Sequence, residues 1–184
     1  METSLKRLST AVIDLMQVHN PVDWSTHLAT IRSWQEEGNI RYSGITHSST
    51  SAFGEMERIM KTDRADFIPI CYSIVMRTAE ERLLALAQDH GIGVIVNRPF
   101  ETSVLFDLVR GRKLPARALD SGCPSWPQFF LKYILSHPAV TCVIPATGGP
   151  SHLADNLRAG SGPLPDQHTR EKVADTIGSL GGRR

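Results

Sequence analysis

Short apolar runs of strand length alternate with amphipathic stretches of helical period along most of this chain. The strand-like runs cover residues 11–18, 41–46, 67–72, 93–97 and 141–145, each rich in Ile, Val or aromatic side chains. Between the first two, Leu28, Ile31 and Trp34 recur at helical spacing over residues 25–37, and Gly38 follows as a natural helix terminator. Thr78-Ala79-Glu80-Glu81 reads as a capping box that opens a helix through Leu83, Leu84, Leu86 and Ala87 to Gly91. Ser125-Trp126-Pro127-Gln128 opens another in the same way, with Phe129, Phe130, Tyr133 and Ile134 on its apolar side. A last helix is expected from about Thr169 to Ile177, leaving 178–184 as a flexible tail. At the other end, Leu5 and Leu8 flank Lys6 and Arg7, a pattern that suggests the chain begins partway through an amphipathic helix.

Strands alternating with helices imply βαβ units and a parallel sheet. A doubly wound dinucleotide fold would place GxGxxG after a strand, and no such run is present. The strand tips favour a barrel instead, because they end in His19 and Asn20, Thr46 and His47, Tyr72 and Ser73, Asn97 and Arg98, and Ala146 and Thr147. Polar side chains gathered on one rim are the mark of a (β/α)8 TIM barrel. Only about five strands are legible, so the expected fold is α/β, an incomplete barrel whose first and last strands are open edges. Self-association through those edges is expected.

Composition adds boundaries. At 184 residues with 41% hydrophobic and 21% charged side chains, residues 1–184 form one domain. A net charge of +1 with mixed signs argues against nucleic acid and anionic membrane as partners. Neither a signal-peptide core nor a membrane-length apolar run is visible, which points to the cytoplasm. Cys71, Cys123 and Cys142 lack metal or disulfide spacing and read as buried thiols, so no metal is expected.

Four segments together resemble the aldo/keto reductase family, barrels that reduce carbonyls with NADPH or NADH. They are Leu5–Leu8 before Asp14-Leu15-Met16-Gln17-Val18-His19; residues 38–47, Gly-Asn-Ile-Arg-Tyr-Ser-Gly-Ile-Thr-His; residues 91–99, Gly-Ile-Gly-Val-Ile-Val-Asn-Arg-Pro; and residues 137–147 through Asp155-Asn156-Leu157. The resemblance places the chain on the C-terminal part of such a barrel, from about the fourth strand onward. It implies a small carbonyl substrate and NADP or NAD as cofactor, with NADP preferred by the family.

By the same resemblance His19 is the catalytic histidine that hydrogen-bonds the carbonyl, and a neutral imidazole suits that work. Thr46 and His47 stand where the family holds the nicotinamide carboxamide with Ser-Asn, while Pro69 stands where it uses Gln. Asn97 occupies the place of a stacking tyrosine, and Arg98 that of a serine reaching the pyrophosphate. Thr147-Gly148-Gly149-Pro150-Ser151 opens a helix whose free N–H groups make an anion site, or is simply a flexible turn before a capped helix. The resemblance assigns Thr147, His152, Asp155 and Asn156 to the adenosine end. Ala146 and His152 replace the Lys and Arg of many members, leaving NADPH against NADH open.

The family's proton donor is a tyrosine tuned by Lys and Asp, all upstream of the strand that carries the histidine. Here only Tyr72 reaches a strand tip, and it matches a different family position. The reading is therefore an oxidoreductase with weak or no catalysis by this polypeptide. Its alternative is a non-catalytic barrel fragment serving as a nucleotide-binding or interaction module. Residues 101–123 read as a specificity loop that could lie over the cofactor.

Overall fold

Five parallel strands lie side by side in chain order in one sheet. The structure is a computed structural model, and it describes residues 1–63, 65–116, 118 and 122–181. Helix α1 (Glu2–Leu8) precedes β1 (Ile13–His19), α2 (Trp24–Glu36), β2 (Ile40–Thr46), α3 (Phe53–Thr62), β3 (Phe67–Cys71) and α4 (Leu83–Asp89). Then follow β4 (Gly93–Asn97), α5 (Val104–Val109), α6 (Trp126–Leu135), β5 (Val140–Val143), α7 (Pro150–Arg158) and α8 (Gln167–Gly181). Because consecutive strands are parallel, each intervening segment must return across the sheet, which is the repeat of a (β/α)8 barrel. Here the ring is open, with β1 and β5 as its outer strands among the described residues.

The core forms where the helices cover one face of the sheet. Ile45, Ile68, Ile70 and Val94 from the strands are fully buried together with Leu28, Ile59 and Leu84 from the helices. On the opposite face Phe67 lies edge-on to Tyr42, with ring centroids 5.4 Å apart. A Cβ on Gly93 would sit 2.4 Å from the Phe67 ring, so only glycine leaves room for that aromatic pair. Gly44 is constrained in the same way, since a Cβ there would approach the Phe67 carbonyl oxygen to 2.9 Å.

Pro69 interrupts a central strand. It presents its carbonyl to β2, where the Thr46 hydroxyl donates to it at 2.9 Å. Its N–H, which would point the same way, does not exist. The β2–β3 register is accordingly sparse, with Gly44 opposite Phe67 and an isolated bridge between His47 and Ile70. On its other side β3 keeps a full ladder with β4, from Phe67 opposite Gly93 to Cys71 opposite Asn97.

Several local expectations hold and others need correction. Gly38 takes φ +77° after α2, and Ser125 caps α6 by accepting the Gln128 N–H. The Thr78 capping box does not form: residues 78–80 make a 3-10 turn, and α4 begins only at Leu83 without a side-chain cap. Glu80, inside that turn, faces a buried arginine described below. Strand β5 spans Val140–Val143 and stops two residues short of Pro145. Helix α8 runs to Gly181, beyond the expected end at Ile177, because Leu180 still packs against the core; the rest of the expected tail, 182–184, lies outside the described residues.

Candidate functional site

At the rim beyond the C-terminal ends of β4 and β5 lies a cleft of about 1100 Å³. Its walls come from the turn after β4, α5 and the segment that follows it, the N-terminus of α6, and the β5–α7 loop. Arg98, Arg110, Arg112 and His152 line it, with no carboxylate among the described lining residues. Phe106 and Trp126 supply aromatic surface. Cations over an aromatic floor suit an anionic ligand with a planar ring system.

The sequence-derived candidates divide between this cleft and the rest of the rim. Arg98, Thr147, His152 and Asn156 line the cleft. Arg98 follows β4 directly and its guanidinium donates to the Ser48 carbonyl at 3.2 Å and the Thr102 hydroxyl at 3.3 Å. Both partners are neutral, so its charge is uncompensated by them. The Thr147 hydroxyl accepts from the Gly149 N–H at 3.3 Å, shaping the entry to α7. Asn156 is buried at 7% exposure.

The other candidates sit elsewhere or are already engaged. His19 is exposed at the tip of β1, in register with Thr46. It is separated from the cleft by β2 and β3, roughly 14 Å along the sheet at ordinary strand spacing. The Thr46 hydroxyl is committed to Pro69, and the His47 ring accepts the Ser49 N–H at 2.9 Å. Asp155 faces α6, accepting from the Ser125 hydroxyl and the Gln128 amide, both at 2.6 Å. It bolts two helices together instead of facing the cleft. Asn97 ends β4 beside Cys71, and its side-chain oxygen is buried without a hydrogen-bond partner among the described residues.

The turn from Arg98 to Ser103 is strained. Arg98, Glu101, Thr102 and Ser103 have φ of 51°, 49°, 53° and 77°, a left-handed backbone that costs energy for residues with a Cβ. Glu101 Oε1, like Asn97 Oδ1, is buried and unpaired among the described residues.

Tyr72 does not serve the rim. Its hydroxyl donates to Glu80, which also accepts from Tyr133 at 2.9 Å and Arg170 at 3.0 Å. Burial pushes the Tyr72 phenol far above its usual range and the Tyr133 phenol up to about 12. Burial alone would raise the Glu80 carboxyl, but hydrogen bonds from Arg77, Tyr72 and Tyr133 outweigh it and hold the group low. This is a structural knot beneath α8.

Phe106, Arg110 and Arg112 lie in the stretch read as a specificity loop over the cofactor, but neither they nor Trp126 stood out as individual site residues. Helix α5 lay inside what read as a loop, although Leu105 and Val109, both buried, already show the four-residue spacing of a helical face. Trp126 was absorbed into the helix start, where its exposure to a cleft depends on neighbours distant in sequence.

Comparison with known proteins places this architecture. Residues 1–173 match the Aldo/keto reductase family. An uncharacterized oxidoreductase, YqkF, of Bacillus subtilis is 27% identical over 188 aligned positions, covering 88% of this chain and 59% of that protein. The aldo-keto reductase AKR11C1 from Bacillus halodurans superposes with a TM-score of 0.75 at 25% identity, covering 96% of this chain and 65% of its own. An aldo/keto reductase from Klebsiella pneumoniae, solved with NADP and acetate, shares the fold with a TM-score of 0.78 at 21% identity, covering 96% of this chain and 62% of that one. The chain thus spans about three fifths of the length of these relatives. Among the described residues no helix is long and apolar enough to cross a membrane. With the family match extending over residues 1–173 of 184, this chain belongs to the aldo/keto reductase family.

Proposed function

We propose that residues 1–184 form one domain supplying the dinucleotide-binding part of an NAD(P)H-dependent carbonyl reductase, corresponding to the barrel from about its fourth strand onward. The observation that carries this is the cleft beyond β4 and β5, where Arg98, Arg110, Arg112 and His152 meet aromatic surface with no described carboxylate. These residues fit a dinucleotide phosphate, and the NADP held by the Klebsiella protein of the same fold supports the assignment. When bound, the cofactor supplies hydride. Arg98 pairs with the pyrophosphate, and Thr147, His152 and Asn156 hold the adenosine end. His19, exposed on the same rim, donates a hydrogen bond to the oxygen of a small carbonyl substrate and stabilises the charge that develops there.

Proton delivery is a different matter. The chain has three tyrosines. Tyr42 packs against Phe67 on β2, and Tyr72 and Tyr133 are locked in the Glu80 knot. None stands at the rim beside His19, so this polypeptide is expected to bind dinucleotide without rapid turnover.

Cofactor-fluorescence titration tests the reading. NADPH should bind with a dissociation constant in the micromolar range, and Arg98→Ala should weaken it about tenfold, the loss of one charge-assisted phosphate contact. Absence of saturable NADPH binding to the folded chain would remove the proposal. The soluble carbonyl chemistry is proposed for a cytoplasmic protein, with self-association through β1 and β5.

A further inference from the structure

A second pocket, of about 470 Å³, opens beside the cleft among the turn after β4, the start of α5 and the segment that follows β3. It shares Arg98 and Thr102 with the cleft, but Glu101 lines it, whereas the cleft has no described carboxylate. Its volume is that of a site for a small organic ligand. Glu101 is only 8% exposed, and its Oε1 has no hydrogen-bond partner among the described residues. A buried carboxylate oxygen left in that state costs free energy, and a ligand that brings a donor recovers it.

The opposite charge stands on the same turn. The Glu101 N–H donates to the Arg98 carbonyl at 3.0 Å, so one tight turn delivers both side chains to the pocket lining. The Arg98 guanidinium is spent on two neutral oxygens, the Ser48 carbonyl and the Thr102 hydroxyl. Arg77, the other cation of the lining, is held by Glu80 at 2.6 Å. The pocket therefore offers one acceptor without a donor and one cation without an anion. A simple anion would satisfy Arg98 and be repelled by Glu101, and a simple amine would do the reverse. A zwitterion satisfies both with charge-assisted hydrogen bonds. Val75, Met76 and Val104 complete an apolar wall, and Val75 and Val104 are 47% and 59% exposed, so an aliphatic group laid on them removes apolar surface from water.

We propose that this pocket binds a free α-amino acid with an aliphatic side chain. Its ammonium donates to Glu101, its carboxylate accepts from Arg98, and its side chain packs on Val75, Met76 and Val104. The site goes beyond the dinucleotide reading and stands without it. One consequence does rest on that reading: Arg98 lines both pockets, so an amino acid seated here draws on the cation that a cofactor phosphate would use.

Calorimetric titration of the full chain, without cofactor, tests the site with L-leucine as the probe. Leucine should bind saturably, while isovalerate and isoamylamine, each keeping one of its two charges, should bind about tenfold more weakly or worse, the loss of one hydrogen bond between charged groups. Glu101→Gln should weaken leucine by a similar factor and leave NADPH affinity within about twofold, because Glu101 does not line the cleft. Its melting temperature should not fall, since the carboxylate it removes is unpartnered. Saturating leucine should weaken NADPH about as much as Arg98→Ala does. Absence of saturable leucine binding overturns the site, as does equal binding of either single-charge analogue or unchanged leucine affinity in a folded Glu101→Gln. NADPH affinity that ignores leucine overturns the role of Arg98. A parent chain that binds leucine but not NADPH supports this site and removes the dinucleotide reading alone.

Discussion

Arg170 shows how much a single side chain can organise. At 4% exposure it donates to the Tyr133 carbonyl at 2.7 Å, the Tyr72 hydroxyl at 2.9 Å and Glu80 at 3.0 Å, and its guanidinium lies 4.6 Å from the Tyr133 ring centroid. Replacing it by alanine removes one of the two cations on Glu80, leaving Arg77 at 2.6 Å, and takes the guanidinium away from the Tyr72 hydroxyl and the Tyr133 ring. Removing one partner of a buried ion pair costs about 3–5 kcal/mol. Chemical denaturation of Arg170→Ala should therefore show a loss of that order, and a change below about 1 kcal/mol would mean that water replaces the guanidinium freely. At this scale the sequence was legible where a residue acts on its own backbone, as at Gly38 and Ser125. It misled at Thr78 and Glu81, read as a capping pair, because residues 78–80 form a 3-10 turn there, with Glu80 bound to an arginine ninety positions away.

Between elements, the same knot sets a pH dependence. Burial, helped by the Arg170 charge, holds the His137 imidazole below its ordinary value of 6.5, and Glu80 is held below 4.5. Both groups bind protons more weakly folded than unfolded. Their stabilisation is thus complete above the unfolded values and is lost as pH falls, first through the His137 range and then through that of Glu80. Melting temperature should decline from about pH 7 to about pH 4, and Glu80→Gln, though less stable at neutral pH, should show a shallower decline at the acid end. An unchanged acid slope in that variant would assign the loss to other carboxylates. The elements themselves were largely readable from periodicity. Helix α5 was not, because its six residues make fewer than two helical turns, too short for the Leu105–Val109 spacing to stand out from a loop.

For the whole molecule, the open ring is the dominant fact. Among the described residues strands β1 and β5 each have one paired neighbour, and Tyr42 on the uncovered face is 48% exposed. Unpaired edges and apolar surface favour association. Sedimentation should show the average mass rising with protein concentration, and a monomer across that range would show that the edges are protected. The periodicity of the chain by itself determined the class of fold, the number of strands and the rim on which function gathers, because strand and helix faces are written locally as periods of two and 3.6. Only the tertiary structure decided which rim residues share a cleft. It gives the Thr46 hydroxyl, the His47 ring, Asp155 and Tyr72 partners within the chain, and it sets Trp126 and Arg112 in the cleft wall. Hydrogen bonds and stacking between segments distant in sequence make those choices, and no local pattern records them.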